Sequence, residues 1–363
     1  MGGRAAARQE QDVIRACHRG RDVEGVQREV LAALRRVTTV DAAFFATADP
    51  ETLLFTGGRS EDPLASAQRW FMDNEFGGAD VNTFAGLVTT PGHVATLDQA
   101  TRRERAASPR YREIMAPLGL GDELRAALVV DDRCWGYLCL HREDGARGFA
   151  AADTALLARV GPHIAEALRR AALVHGATFA AADAGPGVVL LDEHLERIAV
   201  TGRAEELMDR IADTNPGTLR VPAAVHTAAA ALLALERGRS TMPPRARARA
   251  RGGGWLHVHA ARLRIDHADV GPGGHPGGPI AVVIEHADAQ TTTPLLLAAH
   301  GLTPRETEVA RLVLRGVPTA AIVGELHISR HTVQDHLTAV FDKVGVRSRR
   351  ELMGRLLGAA SPS

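Results

Sequence analysis

The residues best suited to touching another molecule lie together near the end of the chain. Between Ser329 and Gly345, Arg330, His331, Gln334, Asp335 and Thr338 share one side at helical spacing, while Val333, Leu337, Val340, Phe341 and Val344 share the other. An apolar stripe of this period anchors a helix to its neighbours. The polar side carries groups long enough to reach base edges in a major groove. Glutamine pairs bidentately with adenine, and a carboxylate accepts from cytosine N4. Arg347, Arg349 and Arg350 follow at once, placed to meet phosphates. The chemistry implied is hydrogen-bonded reading of a duplex, not bond making.

Other reactive residues form weaker constellations. His257 and His259 share one face of an expected strand; they are two metal donors without a helpfully spaced third, or surface histidines. His141 and His163 are haem ligands in a sensor pocket, or structural histidines. Trp135, Tyr137 and Phe44 line a ligand cavity, or fill a core. Serine, histidine and aspartate all occur, but G-x-S-x-G does not. No catalytic constellation stands out, no cofactor or metal is expected, and the chain reads as a non-enzyme.

The elements that must hold the polar face are legible from 301 onward. Thr303-Pro304-Arg305-Glu306 forms a capping box with proline at the first helical position. Val309, Leu312 and Val313 continue that helix to Gly316. A second helix opens near Thr319 and buries Ile322 and Leu326; Ser329 caps the third, and Gly345 ends it. A fourth, 348–357, buries Leu352 and Leu356. This is four helices with a helix-turn-helix in the middle.

The string resembles the LuxR-type DNA-binding domain. The resemblance is carried by Leu302-Thr303-x-Arg305-Glu306-x-Glu308-Val309, Gly316, Ile322, Leu326, Ile328-Ser329-x-x-Thr332-Val333-x-x-His336-Leu337, Phe341-x-Lys343, and Gly345-Val346-x-Ser348-Arg349. It implies sequence-specific, dimeric control of transcription through double-stranded DNA. Gln334, Asp335 and Thr338 then face bases, and Thr332, Lys343 and Arg347 face the backbone, with Ser329 and Arg330 completing the set. Two positions depart from the pattern. Gln334 stands where many relatives have lysine, which shifts the target. Val323 replaces a small alanine, which implies slight repacking.

Composition bounds the rest. A chain of 363 residues, 45% hydrophobic and of zero net charge, suits two or three globular domains. No apolar run approaches the ~18 residues of a membrane span, and no apolar signal core follows Met1-Gly2-Gly3-Arg4. Cys17, Cys134 and Cys139 suggest neither a disulfide framework nor a zinc spacing. Cys134 and Cys139, five apart, belong on opposite faces of a strand. A cytoplasmic protein with reduced thiols is expected. Lys343 is the one lysine, so a P-loop, a pyridoxal Schiff base and a phosphoacceptor receiver domain are excluded. From 301 on, nine basic residues face six acidic ones, so the tail is the electropositive end.

Before the tail, the pattern is α+β. Residues 1–21 read as a polar tail or one frayed helix, and 23–37 as a helix. Strands are expected at 41–48 and 51–55, and helices at 64–74 and 108–118. A hairpin, 122–130 and 134–142, turns at Asp131-Asp132-Arg133, and a long helix follows over 151–174. This order, with Gly136-Tyr-Leu-Cys-Leu-His-Arg142 and 149–165, resembles a GAF sensor domain over 22–174. From 185 to 288 come strands 188–192 and 195–200, helices 203–211 and 223–235, and strands 255–265 and 280–286 around a glycine-rich 271–278. That order is PAS-like. A polar stretch, 288–293, opens the linker, 289–300, to the DNA-binding domain, 301–358. The expected mechanism is a small molecule or partner, bound by the α/β domains, shifting the geometry of a homodimer that works with RNA polymerase. The helix at 151–174 is a candidate dimer element. Rival readings are a sensor enzyme with the tail as a localising module, and a protein-interaction scaffold that dimerises through it.

Overall fold

The computed structural model describes residues 2–77, 80–145, 147–173, 185–211, 219–251, 253–264 and 278–357. Two helices open the chain, α1 (Gly2–Arg19) and α2 (Val23–Arg35). Asp22 caps α2 by accepting from the Gly25 amide. The stretch read as a tail is instead docked. Val13, Ala16 and Cys17 of α1 are buried in one cluster with Val26, Val30 and Leu34 of α2. Three small apolar residues at helical spacing suffice to seat an otherwise polar helix.

The first sheet follows: β1 (Ala42–Ala48), β2 (Phe55–Ser60), then α3 (Gln68–Gly77), α4 (Phe84–Val88), β3 (Val94–Thr96), α5 (Leu97–Ala100), β4 (Leu120–Val130) and β5 (Arg133–Glu143). All pairs are antiparallel, in the order β2-β1-β5-β4-β3. α6 (Ala151–Leu173) covers one face together with α1 and α2. On the other face α3 and α4 pack over Phe55 and Tyr137. β2 begins where the sequence reading ends its strand. The Asp49 carboxylate accepts from the Glu51 amide, and Leu53 takes a positive φ of 61°, so 50–54 is a longer turn.

β5 does not place Cys134 and Cys139 on opposite faces. Gly136 pairs with Leu128 but Cys134 pairs with Val129, which leaves Trp135 as a bulge. The bulge reverses the alternation. Trp135 joins Leu138 and Leu140 under the helices, while Cys134 joins Tyr137 and Cys139 on the opposite side. The two cysteines thus share a face.

The second sheet comprises β6 (Gly187–Leu191) and β7 (Arg197–Val200), α7 (Gly202–Arg210) and α8 (Ala223–Glu236), then β8 (Arg245–Arg249), β9 (Trp255–Arg262) and β10 (Ile280–His286). Its order, β7-β6-β10-β9-β8, repeats that of the first. β8 is absent from the sequence reading. Its Arg-Ala-Arg-Ala-Arg alternation hides a strand whose Ala246 and Ala248 are buried. α8 is apolar nearly all round and is wedged between the sheets, touching β9, β2 and α3. One apolar cluster therefore runs through both units. A buried ion pair fastens them: Arg247 donates from its amide and Nε to Asp49 at 2.9 and 2.8 Å. Residues 174, 265, 271–277 and 358 of the sequence reading lie outside the described residues.

The stretch read as a linker is α9 (Ala289–Ala299), capped by Asp288 accepting from the Thr291 amide. Leu295, Ala298 and Ala299 join the cluster beneath α6, and Leu296 and Leu297 join the core of the last domain. Burial on both sides outweighs the poor helix propensity of three threonines and Pro294. The chain ends in α10 (Pro304–Leu314), α11 (Thr319–Leu326), α12 (Arg330–Val344) and α13 (Arg349–Leu357). Among the described residues, no helix is long and apolar enough to cross a membrane.

Candidate nucleic-acid interface

The capping box forms. The Thr303 amide donates to Glu306 Oε2 at 2.8 Å, and the Glu306 amide donates to Thr303 Oγ1 at 3.3 Å. Arg305 crosses to α11 and donates to the Leu326 carbonyl at 2.6 Å. α11 stops at His327, whose φ of 52° is left-handed, and Ile328 leads into the turn. Ser329 Oγ accepts from the Thr332 amide at 3.0 Å and so starts α12. Gly345, at φ 73°, ends it, with the Val346 amide returning to the Phe341 carbonyl.

Between these stops α12 has two faces. Val333, Leu337, Val340 and Val344 are buried against α10, α11 and α13, and Phe341 is half-buried. Arg330, His331, Gln334, Asp335 and Thr338 are exposed. The Thr338 hydroxyl donates to the Gln334 carbonyl, which leaves the Gln334 amide side chain to solvent. His331 Nε2 lies 3.6 Å from Asp335 Oδ2, one turn along the same exposed face. Ser329 and Arg347 are exposed as well, and Thr332 is half-buried. Val323 is accommodated, half-buried against the domain core.

Two basic residues are more committed than their spacing suggests. Lys343 Nζ donates to Glu306 Oε2 at 2.7 Å, tying α12 to the capping box of α10. Burial opposes ionisation of Glu306, but Lys343 and the Thr303 amide outweigh it and hold its carboxyl below the usual range. Arg349, read as a phosphate contact, is half-buried and donates to the Val317 carbonyl and Thr319 Oγ1. It fixes α13 to the start of α11.

Helix α3 and the first sheet enclose a second feature, a cavity of about 30 Å³. Phe44, Phe55, Leu64, Phe71, Met72 and Phe84 form its apolar wall. Its polar wall holds Gln68, Glu75, Glu123, Arg125, Cys139 and His141. Glu123 receives Arg110 at 2.7 Å, and Arg125 donates to Glu75 at 2.6 Å with its guanidinium 3.7 Å from the Phe84 ring centroid. Burial opposes the Glu123 charge, yet Arg110 and Arg125 prevail and lower its pKa to about 2. Burial lowers that of His141 to about 4, so this imidazole is neutral. Burial and the Glu123 charge push the Cys139 thiol well up. Both atoms of the Gln68 amide and His141 Nδ1 are buried without a hydrogen-bond partner.

The other sequence candidates divide. Phe44 lines the cavity; Tyr137 packs on Phe84 behind it and donates to the Leu53 carbonyl; Trp135 lies beyond the sheet. His163 is exposed on α6, across the sheet from His141, so the two do not converge. His257 and His259 stack at 6.4 Å, with Glu285 at 3.4 Å from His257. Sequence reasoning missed Glu123 with Cys139 and His141. The signal was a donor pair two apart on one strand, with a register partner on the next.

A four-helix unit whose third helix follows a tight turn, with its core side anchored and its polar side bare, defines a helix-turn-helix protein. Residues 300–355 match the family described as bacterial regulatory proteins, luxR family, and residues 22–168 match the GAF domain. The spore germination protein GerE of Bacillus subtilis is 39% identical over 56 residues, which are 15% of this chain and 76% of GerE. An HTH-type transcriptional regulator of Mycobacterium tuberculosis and one of Mycobacterium bovis are each 44% identical over 62 residues. That match covers 17% of this chain but spans only 7% of their length. Among solved structures, Escherichia coli SdiA is 12% identical with 96% of each chain covered and a TM-score of 0.33. The chromophore-binding domain of Stigmatella aurantiaca bacteriophytochrome is 16% identical over 45% of this chain and 60% of its own, at a TM-score of 0.32. The chain belongs to the luxR family of bacterial regulatory proteins through its C-terminal domain, and it carries a GAF domain ahead of it.

Proposed function

We propose that this chain is a sequence-specific transcription regulator that binds double-stranded DNA as a homodimer. In this reading Gln334, Asp335 and Thr338 meet base edges, and Ser329, Arg330, Thr332 and Arg347 meet the sugar-phosphate backbone. Lys343 joins them by sharing its ammonium between Glu306 and a phosphate. The observation that carries the reading is the exposed polar face of α12 opposite its buried Val333–Leu337–Val340 anchor. Two such helices sit in major grooves about one helical turn apart.

The GAF domain, 22–174, senses a small molecule or a partner. The middle unit, 185–288, acts as a PAS-like second sensor, a reading supported by its strand, strand, helices, three-strand order. RNA polymerase is the partner on the promoter, and the cytoplasm is the compartment. Regulation, not catalysis, is the activity. Gel-shift of genomic fragments by the purified chain tests the proposal. Retention of a few fragments against excess non-specific duplex supports it; equal retention of all, or of none, refutes it. Sedimentation with and without DNA tests the dimer.

A further inference from the structure

We propose that Glu123, Cys139 and His141 form a binding site for one divalent transition ion of the zinc class, with its fourth position open to the cavity. Their donor atoms lie within 4.8 Å of one another. Cys139 Sγ is 3.1 Å from Glu123 Oε1 and 3.1 Å from His141 Nε2, and the third edge is 3.9 Å. Bonds of ~2.0–2.3 Å in a tetrahedron place donors roughly 3.4–3.6 Å apart. Shifts of a few tenths of an ångström would therefore seat an ion above this triangle.

The donors are held on rigid elements. Cys139 and His141 are two apart on β5, and Glu123 is the register partner of His141 on β4. Arg110 occupies Glu123 Oε2, which leaves Oε1 toward the thiol and favours one-oxygen ligation. Sulfur, imidazole and carboxylate together select zinc-like ions over calcium or magnesium. The charges also close. Glu75, Asp80, Glu123 and a Cys139 thiolate are four negative charges, and Arg110, Arg125 and a divalent ion are four positive.

Binding is balanced simply. The Cys139 S–H bond breaks, its proton leaves to solvent, and a sulfur–metal bond forms with no change of oxidation state. The cavity supplies the fourth ligand position. Its volume of about 30 Å³ accommodates a water. The Gln68 amide, buried and lacking hydrogen-bond partners at both ends, lines the same space and offers that water a donor or an acceptor.

The test is titration of the reduced, chelator-stripped full chain with Co²⁺. The expected result is one equivalent showing a near-ultraviolet sulfur-to-cobalt charge-transfer band, displaced by Zn²⁺. The chain's 16 histidines can take up cobalt elsewhere, but without that band. Cys139→Ser should abolish the band, and His141→Gln should weaken the site by roughly 10- to 100-fold or more. No band in the wild type, or a band surviving Cys139→Ser, overturns the proposal. Should Cys139→Ser fail to fold, the Cys17→Ser/Cys134→Ser variant decides, since Cys139 is then the sole thiol. A band retained there supports the site, and a band lost overturns it. The readout needs no DNA, so this inference and the regulator reading can fail separately.

Discussion

Gln334→Ala isolates base reading from folding. The side chain is exposed, and the bond Gln334 makes within α12 uses its backbone carbonyl, which alanine keeps. Alanine is also the better helix former by a few tenths of a kcal/mol. Stability should therefore stay within about 0.5 kcal/mol of wild type. DNA binding should not. A bidentate glutamine–adenine pair contributes ~1–3 kcal/mol of discrimination, so the Kd for the cognate half-site should rise roughly 5- to 150-fold. Fluorescence anisotropy at one fixed salt concentration, on the operator and on duplexes substituted base by base, reads this directly. Preference should relax at one base pair per half-site and hold elsewhere. A uniform loss on every sequence would place Gln334 away from base edges, and a fall in Tm would show that α12 needs its side chain. Either result refutes the groove assignment.

Other perturbations probe different links. Lys343→Gln should lower the slope of log K against log salt by ~1 per protomer. It should also cost about 0.2–1 kcal/mol of stability through the partly exposed Glu306 pair; a lower Tm with an unchanged slope would confine Lys343 to its helix-tying role. Asp49→Ala strips Arg247, itself 5% exposed, of its main counter-charge at the junction of the two sheets. Breaking a buried pair costs ~3–5 kcal/mol, and Glu51 at 3.1 Å places this one at the low end; urea unfolding measures it, and adding Arg247→Met should restore part of the loss. In chelator, stability should fall with acid in two stages. His141 titrates at about 4 when folded against an ordinary 6.5, so the unfolded chain binds more protons between those values and stability is lost as pH drops from 6.5 to 4. Glu123, at about 2 when folded against 4.5, adds its loss as pH falls from 4.5 toward 2. Tm against pH records both stages, and His141→Gln should remove the first while leaving most of the second, which Arg110 and Arg125 carry.

Legibility in the sequence followed how local the cause was. The capping box at Thr303, the cap at Ser329 and the stop at Gly345 are each decided within a few residues, and all three form as read. The hairpin turn at Asp131-Asp132 does too, with both residues at positive φ. Errors came where distant surfaces decide. α1 looks polar alone and α9 opens on a polar stretch, and each is held by burial against α6. Trp135 breaks a clean alternation because pairing with β4 needs a bulge there. Lys343 and Arg349 read as spare cations until folding supplies Glu306, Val317 and Thr319 as partners.

The residue order alone therefore determined the four-helix tail and which side of α12 is greasy, since periodicity and caps act within one or two turns. Only the tertiary structure decided that α9 seats the tail on the GAF domain, that one apolar cluster joins both sheets, and that Glu123, Cys139 and His141 converge. Those outcomes depend on surfaces more than a hundred residues apart in the chain and, for the converging triad, on a strand register shifted by the bulge at Trp135, which no alternation of residues announces.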